Sequence, residues 1–247
     1  MISFVVPAHD EAANIVATIA SIRAAVGARA HEVIVVADAC SDDTAQLARD
    51  ASARVLEVDV RQIAAARNAG AAAAHGEVLV FVDADTRIDA AVVQGLERAL
   101  AAGAVGGGAL VRFDRPVPWW AHALVPLMTA AYFAMRLAAG CFVFATREAF
   151  AAVGGFDKEL FAAEEVEFSR ALKRYAKVVR FADGRRGRFV VLRERVETSA
   201  RKLRTHSGWQ LLGEVLRLLL RGRRGVRDRK ALSLWYGPRQ HDPGART

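Results

Sequence analysis

The chain has 247 residues and is 53% hydrophobic, enough to bury a full core as one large domain. Its two cysteines, Cys40 and Cys141, lie far apart, which argues against a disulfide framework and for a reduced, cytoplasmic setting. The net charge of +8 favours anionic partners: phosphate-bearing substrates, acidic lipid head groups or nucleic acid, with a solvated arginine-rich face as the plain alternative.

Taken in chain order, the N-terminus MISFVVPAHDE lacks a basic leader region and reads as a first strand over residues 2–7. Residues 11–26 form a helix, with Ile15, Ile19, Ile22 and Val26 three and four apart. Strands follow at 32–36, 54–58 and 78–82, and helices at 43–52, 62–75 and 89–102, the helix at 62–75 closed by Gly76 as a C-cap. Strands alternating with helices predict an α/β fold: a doubly wound, mostly parallel sheet. Ligands bind such sheets beyond the carboxyl ends of the strands. Three polar clusters fall there: His9-Asp10-Glu11, Asp38 with Ser41-Asp42-Asp43-Thr44, and Asp83-Ala84-Asp85. Of these, Asp42, Asp43 and Thr44 suit the N-terminal cap of the second helix.

After Gly106-Gly107-Gly108 the pattern loosens. Residues 116–135 carry no formal charge, but Pro116, Pro118, Pro126 and His122 argue against a regular membrane-spanning helix. A buried or acceptor-covering helix and an interfacial one, with Trp119-Trp120 at the boundary, both remain open. A strand at 141–145 follows, then a helix bearing Glu164-Glu165. Residues 209–220 read as an amphipathic helix ending in a basic cluster, either a membrane-surface element or a helix packed back on the domain. The whole reads as one domain, 1–247: a nucleotide-binding half at 1–104, an acceptor-binding half at 105–200, and a basic helix and tail at 201–247.

Four segments carry a specific resemblance. PAHDEAANI resembles the P-x-x-N-E opening of family 2 glycosyltransferases, with Asp10 in the usual Asn position, and EVIVVADACSDDT resembles their second-strand motif. ARNAGAAAAHGEVLVFVDADT resembles the run into their D-x-D motif, and GGFDKELFAAEEVEFSRALKR their later G-G-F-D and E-D block. The match runs in order over residues 1–176. It implies a GT-A fold, a Rossmann-like αβα sandwich, that uses Mg²⁺ or Mn²⁺ and a UDP-, GDP- or dTDP-linked sugar donor. Independently, the charge growing on a departing diphosphate calls for a Lewis-acid cation, and hard cations take carboxylate oxygens. On an extended chain Asp83 and Asp85 would point the same way.

By the resemblance, Asp85 is the better metal ligand, Asp83 lies nearer the ribose and metal, and Ala84 belongs to the nucleotide-sugar-binding set. Pro7, Ala8 and Glu11 hold the nucleotide, and Asp38 accepts from its base. Arg67 and Asn68 match a recurrent pair, and Arg67 suits the diphosphate. Glu165 matches the catalytic base and Glu164 its orienter or an acceptor contact, with inversion at the anomeric carbon. Arg201 and Lys202 fold over the diphosphate, and His206 reaches the metal. The Q-x-x-R-W block of processive synthases is not visible, so a non-processive transferase with a hydroxyl acceptor, lipid-linked or soluble, is expected. It would be cytoplasmic or peripheral at the inner face of the membrane, with no nucleic-acid partner. A nucleotidyltransferase is disfavoured by the acidic first loop. A non-enzymatic module binding nucleic acid or membrane is disfavoured by the acidic rim, which repels phosphate unless a metal intervenes.

Overall fold

The computed structural model describes residues 1–114, 117–122, 126, 129–130, 134–135, 137–205, 213 and 226–227. Eight strands form one sheet in the order β3-β2-β1-β4-β7-β6-β8-β5. The first half contains β1 (Ile2–Ala8), β2 (His31–Asp38), β3 (Arg54–Val58) and β4 (Val78–Val82), mutually parallel where they pair. β5 is a two-residue strand, Thr86–Arg87. The second half contributes β6 (Ala104–Phe113), β7 (Phe142–Thr146) and β8 (Arg188–Thr198). β7 runs antiparallel to β4 and β6, β6 and β8 are parallel, and β5 closes antiparallel on β8. The sheet is therefore mostly parallel and continuous across residue 104.

Side-chain alternation along the strands builds two cores, one on each face. Phe4, Val6, Val80 and Val82 face one way and pack under α1 (Ile15–Val26), α2 (Thr44–Asp50) and α4 (Ala90–Ala101). Val5, Leu79 and Phe81 face the other way, under α3 (Ile63–Ala73), α5 (Arg147–Val153) and α6 (Glu164–Val178). A short α7 (Arg201–Thr205) follows β8. The result is the three-layered αβα sandwich that the βαβ rhythm predicts. Apart from Arg67, the buried residues of α3 are small: Ala64, Ala66, Gly70 and Ala71. Short side chains there let the helix lie close to the sheet, near the end of β4.

Several boundaries differ from the sequence reading. The first helix starts at Ile15 because residues 12–14 form a turn. α3 stops at Ala73, so Gly76 is not its cap: the Gly76 amide donates to Ser3 Oγ at 2.8 Å, and a Cβ there would lie 2.8 Å from the Met1 carbonyl oxygen. The three glycines at 106–108, where the pattern loosens, lie inside β6. That strand needs them because its neighbours crowd it. A Cβ on Gly107 would sit 1.7 Å from the Val190 carbonyl oxygen and 2.8 Å from the Phe144 ring. Gly107→Ala should therefore cost at least about 1–3 kcal/mol in a urea unfolding experiment, since backbone rather than a movable side chain meets the new atom.

The uncharged 116–135 segment is described only in part, with Trp119 85% exposed and Ala121 buried. The amphipathic helix expected at 209–220 and the basic cluster after it lie almost wholly outside the described residues. Among the described residues, no helix is long and apolar enough to cross a membrane.

Candidate active site

The sheet brings the carboxyl ends of β1, β2 and β4 to one rim. β4 ends at Val82, and the chain turns at once: the Asp83 amide donates to the Cys141 carbonyl at 3.1 Å and the Thr86 amide donates to the Asp83 carbonyl at 2.9 Å. Asp83 and Asp85 thus sit in a turn, and the strand period does not govern them. They engage different partners. Asp83 Oδ1 accepts from Arg67, while Asp85 lies 3.7 Å from Arg201 and takes a long hydrogen bond, 3.5 Å, from the Thr198 hydroxyl. Ala84, buried between them, accepts from the Thr18 hydroxyl through its carbonyl at 2.7 Å and so pins the turn to α1.

Arg67 is the centre of the arrangement. The resemblance assigns it to a diphosphate, but the structure buries it to 1% exposure. Nη1 donates to Glu164 Oε1 at 2.7 Å, and Nη2 donates to Asp83 Oδ1 at 2.9 Å and to the Gly140 carbonyl at 2.8 Å. The guanidinium also stacks 5.2 Å from the centre of the Phe156 ring. Burial works against its charge, but Asp83 and Glu164 outweigh this and push its pKa above the ordinary arginine range. Its Nε–H has no hydrogen-bond partner among the described residues. One residue on, Asn68 is hydrogen-bonded to the backbone of Phe156. Its amide receives the Phe156 N–H at 2.9 Å and donates to the Phe156 carbonyl at 2.8 Å, clamping the loop that follows G-G-F.

α6 opens on the acidic pair. Its N-cap, Ala163, is left-handed with φ +59°, and Glu164 turns inward onto Arg67. Glu165, the next residue, points elsewhere, as neighbours on a helix must. It forms no ion pair with any described residue, and its Cγ would lie 3.5 Å from a Cβ placed on Gly140. Burial of its carboxyl, reinforced by the charge of Glu164 and only partly offset by Arg67, pushes its pKa up to about 8.

The β1 and β2 ends complete the rim. Pro7 and Ala8 are buried at the end of β1. Glu11 is also buried. It accepts from Asn14 at 2.8 Å and from Arg201 at 2.9 Å, and its amide donates to the Thr44 hydroxyl at 2.7 Å. Arg201 therefore ties the first loop to the Asp85 turn from α7. The side chain of Lys202 and all of His206 lie outside the described residues. Asp43 stands at the N-cap of α2 without a side-chain cap bond, whereas Asp42 accepts from the Thr44 amide at 3.0 Å.

Asp38 is buried, and three backbone amides already hold it: Val60 and Arg61 donate to Oδ1 at 2.8 Å each, and Gln62 donates to Oδ2 at 3.0 Å. It fastens the loop before α3, which carries Arg67. A donor base would have to use what remains of its roughly four acceptor positions. Asp38→Ala strands these amides and should cost about 1–3 kcal/mol in urea unfolding, because the buried Gln62 amide left unpaired carries its full desolvation penalty. Sequence reasoning missed Gly140, Thr198 and Gln62; each reaches the rim only through tertiary packing, and none stands in a recognisable pattern.

Asp83 and Asp85 offer hard oxygen donors. Magnesium-type sites need only one or two protein carboxylates, the rest coming from phosphate and water, so this donor set fits such an ion. Among the described residues, His9, Asp10 and Cys40 are the one group of three or more ligand-type side chains close enough to share a metal.

The model of the family described as Glycosyl transferase family 2 matches residues 3–154. No curated protein matches. Among solved structures, Staphylococcus aureus TarS 1–349 in complex with UDP superposes with a TM-score of 0.58 at 17% identity, covering 80% of this chain and 60% of that one. The mannosyltransferase PcManGT from Pyrobaculum calidifontis, in complex with GDP-Man and Mn²⁺, gives 0.62 at 18%, covering 95% of this chain and 66% of that one. Glucosyl-3-phosphoglycerate synthase from Mycobacterium tuberculosis, with Mn²⁺, UDP and glucosyl-3-phosphoglycerate, gives 0.58 at 22%, covering 93% and 81%. The chain thus spans less than two thirds of the UDP-bound TarS chain and of the PcManGT chain. At these identities the likeness establishes the fold.

Proposed function

Since this chain belongs to glycosyl transferase family 2, we propose that it moves a sugar from a nucleoside-diphosphate donor to a hydroxyl acceptor. The reaction is metal-dependent, inverting and non-processive. The observation that carries this reading is the Arg67 bridge, which joins Asp83 at the β4 turn to Glu164 at the start of α6. One buried cation thereby fixes the donor-side turn against the helix that carries Glu165. The nucleotide and Mn²⁺ complexes of PcManGT and of the mycobacterial synthase support the donor class and the use of a divalent ion.

Asp85 and the free oxygen of Asp83 are the groups that would hold Mg²⁺ or Mn²⁺, which when bound neutralises charge on the departing diphosphate. Glu165, unprotonated, takes the proton of the acceptor hydroxyl. The acceptor oxygen then bonds to the anomeric carbon as the sugar–phosphate bond breaks, and the electron pair leaves with the diphosphate. Displacement from the face opposite the leaving group inverts that centre. Glu164 is a positioning residue: it holds Arg67, and Arg67 limits how far the Glu165 carboxyl is pushed up.

A screen of UDP-, GDP- and dTDP-sugars with Mn²⁺, read by calorimetry and by release of nucleoside diphosphate, tests the proposal. One donor class should bind, and Asp85→Ala should raise the Mn²⁺ needed for half-maximal binding by about tenfold or more, as loss of metal-site groups does. Binding of no sugar nucleotide with any divalent ion would overturn the function. Donor binding unchanged in Asp85→Ala would remove its metal role.

A further inference from the structure

The β1 and β2 loops carry a second set of ligand-type groups, made of residues other than Asp83 and Asp85. His9, Asp10 and Cys40 each present one ligating atom within 4.8 Å of the others. His9 Nδ1 lies 2.7 Å from the Asp38 carbonyl oxygen, which can only accept, so Nδ1 must carry the proton. The other ring nitrogen, Nε2, therefore points toward Asp10 and stands 3.5 Å from its Oδ2. The other Asp10 oxygen is fixed by the Ser41 amide at 2.7 Å and by its hydroxyl at 3.2 Å. A ring nitrogen, a carboxylate oxygen and the Cys40 thiol, which donates to the Ala8 carbonyl at 3.5 Å, therefore meet where the two loops join. A backbone carbonyl on Nδ1 is also the usual way in which a metal-ligating histidine is oriented with Nε2 outward.

We propose that His9, Asp10 and Cys40 form a site for a thiophilic divalent cation of the Zn²⁺ type, joining the β1 and β2 loops. Bond lengths of about 2.0–2.3 Å place ligands about 3.3–3.8 Å apart around a tetrahedral ion. The His9–Asp10 spacing of 3.5 Å already meets this, and Cys40, within 4.8 Å of both, needs a shift of at most about 1–1.5 Å. A thiolate, an imidazole nitrogen and one carboxylate select zinc or cobalt over Mg²⁺ or Ca²⁺, and three protein ligands leave a fourth position open. Binding displaces the Cys40 thiol proton to solvent and forms the metal–sulfur bond.

The test uses the full chain, reduced and stripped of metal, titrated with Co²⁺ and then competed with Zn²⁺. One equivalent of Co²⁺ should bind with a thiolate-to-cobalt charge-transfer band, Zn²⁺ should displace it, and excess Mg²⁺ should not. Cys40→Ser should abolish the band, and Cys141→Ser should leave it. Asp10→Asn separates ligation from folding: its amide oxygen can still accept from Ser41 while its NH₂ donates to His9 Nε2. That variant should keep the wild-type melting temperature and weaken Co²⁺ binding about 10–100-fold, the range seen when metal-site partners are lost. Asp85→Asn should bind Co²⁺ with the same band, which separates this site from the proposed catalytic one. A missing band, a band that survives Cys40→Ser, or unchanged affinity in Asp10→Asn would overturn the proposal. In that case the junction is filled by a proton alone.

Discussion

Glu165→Gln is expected to slow sugar transfer by about 10²–10⁴-fold, the usual contribution of a positioned base, while donor binding stays close to wild type. The isosteric amide keeps the packing against Gly140 but cannot take a proton. In the wild type the transfer rate should rise with pH through about 8, because only the unprotonated carboxyl accepts and its pKa is pushed up to about 8. An ordinary glutamate would reach its plateau well below neutrality. The same group links stability to pH. Its carboxyl titrates at 4.5 in the ordinary state and at about 8 in the folded chain, so between these values the folded chain holds a proton that the unfolded chain has lost. Stability contributed by this group is full below about pH 4.5 and is lost as pH rises through about 8. Relative to wild type, Glu165→Gln should therefore gain stability at pH 9 and little at pH 4. Undiminished transfer in the variant, or a wild-type rate already flat at pH 6, would remove Glu165 as the base.

The fold was legible because its first half states its own periods. Val78–Val82 is buried on both faces and reads as an unbroken apolar run, and α1 shows its buried stripe at Ile15, Ile19, Ile22 and Val26. The second half was harder to read for a physical reason. β6 opens Ala-Val-Gly-Gly-Gly because β7 and β8 crowd its backbone, and the glycines that make the close approach possible also erase the strand signal. For the site, sequence pattern identified which residues stand together but not what they touch. Arg67 reads as a surface cation facing phosphate. Its burial becomes visible only when α3, β4 and α6 are assembled around it, since its partners lie 16 and 97 residues away. Asp83 and Asp85 read as a strand pair, whereas the strand ends with the apolar run at Val82 and the Thr86 amide folds the two aspartates into a turn.

Arg67→Met should be the most damaging single change to stability, costing about 3–5 kcal/mol in urea unfolding, the range for breaking a buried ion pair from one side. The methionine fills much of the volume and keeps contact with Phe156. What is lost is the cation facing Glu164 and Asp83, together with the donor to the Gly140 carbonyl. Glu164 is itself buried, so its charge would be left in low dielectric without compensation. Arg67→Lys should fall between, because one ammonium cannot reproduce the planar fork that reaches two carboxylates and a carbonyl. Pairing Arg67→Met with Glu164→Gln should recover part of the loss; a coupling of about 0.5–3 kcal/mol is expected for groups in direct contact. A purely structural role would end there, but the geometry demands a second effect. Arg67 holds the Glu165 carboxyl down against burial and against Glu164. In Arg67→Lys, whose cation is displaced from that position, the rising limb of the pH–rate profile should move above pH 8. In the Arg67→Met/Glu164→Gln pair, both a stabilising and an opposing charge are gone, and the limb should return toward the wild-type position. If Arg67→Met costs under about 1 kcal/mol, or if the profile of Arg67→Lys stays where it was, then the buried bridge does not couple the β4 turn to the base.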